Sequence, residues 1–363
     1  MSRSPWDPSR EEWTDLLDGE PRFRVDQVWQ GLHEHGLAPW DQTNLPKALR
    51  SRLADEFSPA LSEVVRSVGD GGDTVKWLWR LRDGATVETV LMHYEGRSTV
   101  CISSQAGCAM GCTFCATGQA GFERHLDVGE IVEQVVRARA EAATTDRRLS
   151  NVVYMGMGEP LANYDKVLAS IRRLNTDLGL GARHLTVSTV GLVPQMRRFA
   201  EEGLQVGLAV SLHSANDADR STTIPINDRH PIDDVVAACQ LFRERTGRRV
   251  SFEWAMIDEV NDRDRDAEEL AEVALAARAH VNLIPLNPTP GYPEIGTPPD
   301  RIESFAAMLR RRGVNATVRA NRGTEIDAAC GQLRTRIEQG EEVTRSVRVG
   351  LRPKPRTTTH TGD

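Results

Sequence analysis

No stretch of the 363-residue sequence approaches the roughly 20 consecutive apolar residues that a membrane-crossing helix needs. Its first residues, Met1-Ser-Arg-Ser-Pro-Trp-Asp, lack the apolar segment of a secretory leader. The chain therefore reads as cytoplasmic, with no membrane partner. Positive charge is also in deficit, since 45 Lys and Arg stand against 52 Asp and Glu for a formal net charge of −7. This counts against a protein that coats nucleic acid with its whole surface, and leaves room for a local basic patch. Internal repeats are missing, as are low-complexity tracts apart from the tail. Cysteine is scarce, six in all, so a structural disulfide framework is not expected in a cytosolic chain of this length.

What is present is ordinary for a folded protein: 39% hydrophobic and 27% charged residues. The length suits one large domain or a large one with a small companion. Residues 1–60 read as a small helical unit. Ser9 to Leu17 and Val25 to His35 are helical stretches, and a third begins at Asn44-Leu-Pro-Lys, with Leu49, Leu53 and Phe57 at helical spacing. Residues 61–100 read as a β-rich connecting extension. Thr74 to Leu81 alternates apolar and polar side chains, Asp83-Gly84 signals a turn, and Thr86 to Met92 is the partner strand. From 101 to about 340 strands and helices alternate. Strands are expected at Val100–Ser103, Asn151–Met155, Leu185–Val190, Val206–Leu212, Val250–Met256, Val281–Leu286 and Ala316–Ala320. Helices lie between them, one opening on an Asp127/Glu130 capping box. Such a βα series is an α/β fold with a parallel sheet or barrel, whose active sites sit at the C-terminal ends of strands. Residues 341–363 form a basic tail that includes Arg345, Arg348, Arg352, Lys354 and Arg356. It is either a nucleic-acid contact or a solvated end.

Four of the six cysteines fall within fifteen residues. Cys108, Cys112 and Cys115 follow the pattern Cys-x3-Cys-x2-Cys, with Phe114 before the last, in the loop after the first strand of the βα series. Three thiolates on one short loop suit three irons of a [4Fe–4S] cube and leave the fourth iron open for a small ligand. A structural zinc would want a fourth protein ligand, and the nearest histidine, His125, stands ten residues on.

This spacing resembles the radical SAM superfamily, whose members bind S-adenosylmethionine (SAM) at the open iron and cleave it with one electron. The flanking sequences Cys101-Ile-Ser-Ser-Gln-Ala-Gly, Cys115-Ala-Thr-Gly-Gln-Ala-Gly-Phe, Met155-Gly-Met-Gly-Glu-Pro-Leu-Ala-Asn163, Leu185-Thr-Val-Ser-Thr-Val-Gly-Leu-Val-Pro194, Ser211-Leu-His213, Asn282-Leu-Ile-Pro-Leu-Asn-Pro288 and Ala328-Ala-Cys-Gly-Gln-Leu333 resemble the RlmN family of adenine C2-methyltransferases. Phe23-Arg-Val-Asp-Gln-Val-Trp and Asn44-Leu-Pro-Lys are similar to that family's accessory domain. The resemblance implies a partial (β/α) radical SAM barrel with a small N-terminal helical domain. It implies a [4Fe–4S] cluster on Cys108, Cys112 and Cys115, and two SAM molecules per turnover. Gly158, Glu159, Ser188, Ser211, Leu212, His213 and Asn287 would contact SAM. Cys330 would carry a methyl group, Cys101 would resolve the covalent RNA adduct through a transient disulfide, and Glu88 would serve as acid–base. The partners would be 23S rRNA, tRNA and a flavodoxin-like one-electron reductant, with the enzyme acting as a monomer. Taken alone, Cys330 reads first as a small buried residue, while His213 also reads as a core histidine and Glu88 as a solvent-facing strand residue. Cys239 matches no motif and reads as core. Arg22, Arg24, Lys47, Arg319 and Arg322 are candidate phosphate contacts or ordinary surface charge. The sister Cfr group, which methylates adenine C8, shares most motifs. A non-catalytic RNA-binding relative and a radical SAM enzyme with a non-RNA substrate are the other readings.

Overall fold

The computed structural model describes residues 3–287, 289, 292–328 and 332–333. Helix α1 (Arg10–Leu16) begins on a reciprocal Ser9–Glu12 capping box and buries Trp13, which stacks on Phe57 with ring centroids 5.1 Å apart. Helix α2 (Phe23–His33) turns Val25, Val28 and Leu32 inward, and α3 (Lys47–Glu56) does the same with Leu49 and Leu53. The sheet follows with β1 (Ser62–Gly69), β2 (Thr74–Arg80), β3 (Thr86–Tyr94) and β4 (Arg97–Cys101), all antiparallel. The expected Asp83-Gly84 turn joins β2 to β3, with Gly84 at φ +95°. Strand β4 starts three residues earlier than its apolar core suggests, because pairing with β3 carries Arg97, Ser98 and Thr99 into the ladder.

A small hairpin, β5 (Gln105–Gly107) with β6 (Phe122–His125), encloses the cysteine loop and the short helix α4 (Ala116–Ala120). The βα series then runs α5 (Val128–Thr144), β7 (Leu149–Tyr154), α6 (Tyr164–Thr176), β8 (Leu185–Thr189), α7 (Val193–Glu201), β9 (Gly207–Ser211), α8 (Asp217–Thr223), α9 (Ile232–Thr246), β10 (Val250–Met256), α10 (Asp264–Ala277), β11 (His280–Pro285), α11 (Pro299–Arg311) and β12 (Ala316–Val318). The Asp127–Glu130 capping box that opens α5 is present.

The ten-stranded sheet has the order β1-β2-β3-β4-β7-β8-β9-β10-β11-β12, parallel from β4 onward. The described strands form an open curve with two ends, not a closed barrel. Along the parallel strands buried apolar residues are interleaved with half-buried polar ones, as in Leu185-Thr-Val-Ser-Thr189. Val100, Val152, Val187, Val210, Phe252 and Leu283 are all wholly or almost wholly buried. Cys239 is buried in α9, as its sequence context suggests. The N-terminal helices are bonded to the series: Arg173 donates to Trp6 O at 2.6 Å, and the Gly129 and Ala60 amides donate to the Asp7 and Glu133 carboxylates. Among the described residues no helix is long and apolar enough to cross a membrane.

Candidate active site

The cysteine loop is closed at its base by the Cys108 amide, which donates to Gly121 O at 2.7 Å. Gly107 makes this closure possible. Its φ is +69°, and a Cβ there would stand 2.0 Å from Gly121 O. Gly118, in α4, likewise leaves room for Cys112 O. The Thr113 amide ties the loop tip to Thr223 O at the end of α8. Phe114 meets the His213 ring edge-on, with centroids 4.7 Å apart.

Cys108, Cys112 and Cys115 all face one cavity. Burial, reinforced by the neighbouring sulfurs, pushes the Cys108 thiol up to about 12 and Cys112 higher still. Thiolates that repel one another in a buried loop call for a cationic centre, and metal binding deprotonates them outright. Among the described residues no three His, Cys, Asp or Glu close on a single-ion site. An iron–sulfur cube does not need one, since each of its irons takes one thiolate. The donor set therefore fits a cluster.

The rest of the cavity is built from the C-terminal ends of successive parallel strands. Gly156, Gly158 and Glu159 follow β7, Ser188 ends β8, and Ser211 and His213 end β9. Glu253 and Ala255 come from β10, Asn287 follows β11, and Arg319 follows β12. Gly158 has φ +99°, and a Cβ there would lie 2.5 Å from Gln105 Cβ. This lets Gln105 Oε1 accept from the Glu159 amide at 2.7 Å. The Glu159 carboxylate accepts from the Val190 and Leu161 amides at 2.9 and 3.1 Å. Burial raises its pKa to about 7, and among the described residues no basic side chain offsets it. A cation is the group this carboxylate lacks. The Ser188 and Ser211 hydroxyls stand 3.5 Å apart on the cavity wall. Asn287 Oδ1 accepts from Asn321 at 2.7 Å.

His213 and Leu212 occupy this region for different reasons. The His213 backbone is left-handed, φ +56°, and its carbonyl accepts from Asn261 at 2.8 Å. Its Nδ1 accepts from the Ala255 amide at 2.8 Å, which puts the proton of the neutral ring on Nε2. Burial holds its pKa down at about 3. Leu212 is fully buried and does not line the cavity among the described residues. Its amide donates to Glu253 O and its carbonyl accepts from Arg220.

Arg220 and Glu253 escape the sequence reading. Arg220 is completely buried, and its guanidinium donates to Val190 O, Ser211 O, Leu212 O and Asn227 Oδ1, clamping the ends of β8 and β9. An arginine in the polar run Asp217–Thr223 looks like surface charge, so nothing local marks it. Glu253 had a signal: it is the one charged residue in the mostly apolar strand β10. It accepts from Asn282 and Ser251, both at 2.8 Å.

Glu88 and Cys101 lie apart from this cavity's lining among the described residues, on the antiparallel side of the sheet. Both are buried, so Glu88 is not a solvent-facing strand residue. Ser103 Oγ donates to Glu88 O at 2.6 Å, and Lys76 Nζ is 3.6 Å from Glu88 Oε1. Cys330 and the basic tail lie outside the described residues. The chain on either side of Cys330 is described: Asp327 O accepts from Lys76 Nζ at 3.1 Å, and Leu333 O accepts from Thr117, in α4 beside the cysteine loop, at 2.7 Å. Of the candidate phosphate contacts, Arg22, Lys47 and Arg319 are exposed. Arg24 packs on Phe23, and Arg322 packs on Tyr94 near Asp73.

Residues 102–273 match the Radical SAM superfamily. A "Probable dual-specificity RNA methyltransferase RlmN" from Frankia casuarinae is 52% identical over 342 residues, covering 90% of this chain and 81% of its own. Its namesake from Salinispora tropica is 52% identical over 87% of this chain and 88% of its own length. The crystal structure of a radical SAM methyltransferase from Sphaerobacter thermophilus superposes with a TM-score of 0.89 at 47% identity, covering 92% of this chain and 99% of that one. On shared sequence and shared architecture together, the chain belongs to the RlmN family of radical SAM enzymes.

Proposed function

We propose that this protein methylates C2 of adenine in 23S rRNA and tRNA, in the cytoplasm, through a covalent enzyme–RNA intermediate. The observation that carries the reading is one cavity at the strand ends that joins three cysteines of a short loop to a buried, cation-lacking carboxylate, Glu159. Cys108, Cys112 and Cys115 would hold the cluster, and Glu159 would accept the SAM ammonium. Ser188, Ser211 and Asn287 would fix the rest of SAM, and the Gly156–Gly158 backbone would let it approach closely. Arg220, His213 and Leu212 would keep these groups in place. With SAM and an electron from a flavodoxin-like donor, the bound cluster supplies a 5′-deoxyadenosyl radical.

Adenine C2 is an electron-poor ring carbon that no side-chain base deprotonates usefully, so a polar methyl transfer from SAM fails there. A cysteine pair avoids this difficulty. Cys330 takes a methyl group from one SAM. That S-methyl would give up a hydrogen atom to the radical formed from a second SAM, its carbon would bond to C2, and the unpaired electron left on the ring would pass to the oxidised electron carrier. Glu88 moves the ring proton. Cys101 then attacks the Cys330 sulfur, which releases the methylated base and leaves a transient disulfide to be reduced. Two SAM molecules are consumed per turnover. The adenine must be unpaired or extruded to reach these groups. Exposed Arg22, Lys47 and Arg319, with the tail, would receive phosphates. The division into an accessory unit (1–60), a β extension (61–100), a core (101–340) and a tail (341–363) belongs to the same proposal, as does a monomeric enzyme.

The test is anaerobic incubation of the reconstituted protein with labelled SAM and unmodified rRNA or tRNA, followed by mass spectrometry of the nucleosides. The expected product is 2-methyladenosine. Labelling at C8 would move the chain to the sister chemistry. Unlabelled RNA with a labelled small metabolite would refute an RNA substrate.

A further inference from the structure

Lys76 has no part in the reaction outlined above, yet its side chain is only 13% exposed. A buried ammonium is unfavourable unless it is paired and hydrogen-bonded. This one has two partners: Glu88 Oε1 at 3.6 Å and the carbonyl of Asp327, to which it donates at 3.1 Å. Strand register explains the meeting. Lys76 pairs with Val90, and Val90 pairs with Cys101. Directly opposed residues project from the same face of a sheet, and Glu88, two positions from Val90, shares that face. Lys76, Glu88 and Cys101 therefore stand on one face, and the same ammonium grips the backbone three residues before Cys330. Asp70 reinforces the grip, because its carboxylate accepts from the Gly323 amide at 2.9 Å and its amide donates to the Glu325 carboxylate at 2.6 Å.

We propose that Lys76 is a positioning residue for methyl delivery, holding the Glu88 carboxylate and the segment that leads to Cys330 against the face that carries Cys101. This rests on the roles given above to Glu88, Cys101 and Cys330. Lys76 does not line the cavity of Glu159 and the three cysteines among the described residues, so cluster assembly and SAM binding do not depend on it. An ion pair with Glu88 together with a charge-assisted bond to the Asp327 carbonyl is what a neutral donor cannot replace.

The test compares reconstituted Lys76→Arg, Lys76→Gln and Lys76→Met with the wild type for iron content, KM for SAM and kcat for 2-methyladenosine formation. Loss of a charge-assisted bond predicts that Gln and Met lower kcat by about tenfold or more, with iron content and KM for SAM unchanged. Arg restores kcat to within about threefold of wild type, since it keeps the charge. In a Glu88→Gln background, Lys76→Met costs less than it does alone, because the two residues act as a unit. Gln and Met variants at wild-type kcat would overturn the proposal. So would an Arg variant as inactive as Met, or parallel loss of iron and activity in all three, which would mark Lys76 as a general structural residue. A wild type that methylates no adenine would instead sink the reading of the reaction itself.

Discussion

At the residue scale, the chemistry of this protein is a set of buried groups that need a partner to be comfortable. Glu159 is the clearest. Burial raises its pKa to about 7, so it is neutral below that pH and can accept a charge-assisted bond from an ammonium only above it. SAM affinity is therefore expected to fall as pH drops below about 7, by up to tenfold per unit while free enzyme binds a proton that bound enzyme has lost. Glu159→Gln should weaken SAM binding by about 10- to 100-fold at neutral pH and remove that slope. Titration of SAM into cluster-loaded protein at several pH values checks both. Legibility differs sharply between neighbouring residues. The three cysteines are visible in sequence because their spacing has few other uses, and Gly158-Glu159 through the resemblance of their flanks to a family motif. Arg220 is hidden because its role depends on carbonyls of two strand ends that only the fold brings together.

At the element scale, strands and helices follow the apolar periodicity closely, and what the periodicity misses is short. The β5–β6 hairpin rests on strands of three and four residues, too short to carry a pattern, and is set instead by the Gly107–Gly121 pinch. Gly107→Ala would force a Cβ into Gly121 O at a position that also needs positive φ. A loss of about 2 kcal/mol or more of stability is expected, with most of the iron lost on reconstitution. Iron analysis beside thermal melting reads this out. A second element-scale prediction concerns α2. His33 is buried against Trp29, both ring nitrogens lack a hydrogen-bond partner among the described residues, and burial, then Arg173, lowers its pKa to about 4. The unfolded chain binds a proton here between about pH 6.5 and 4 while the native one does not. Stability is thus intact above pH 6.5 and falls toward pH 4 by on the order of 3 kcal/mol. His33→Leu should flatten that acid loss, seen as a smaller drop in melting temperature between pH 7.5 and pH 5 than the wild type shows. Equal drops would count against it.

At the scale of the whole molecule, the parallel and antiparallel halves of one sheet divide the work. The parallel half ends in the cavity lined by the three loop cysteines and Glu159, and on the antiparallel side Lys76, which shares a face with Glu88 and Cys101, bonds the segment that leads to Cys330. Family-like flanking motifs single out Cys101 and Cys330, but nothing in the sequence marks the strand register that sets Lys76 on the face of Glu88, or the lysine–carbonyl bond at Asp327. The account's central claim is that carbon passes from SAM to RNA through Cys330 and that Cys101 completes the release. Its most direct test is Cys101→Ala, incubated anaerobically with SAM, reductant and unmodified RNA, then digested and analysed by mass spectrometry. The prediction is a peptide containing Cys330 joined through one methylene carbon to adenine, with little free 2-methyladenosine. Normal release of 2-methyladenosine by this variant, or RNA joined at any other residue, would contradict the account.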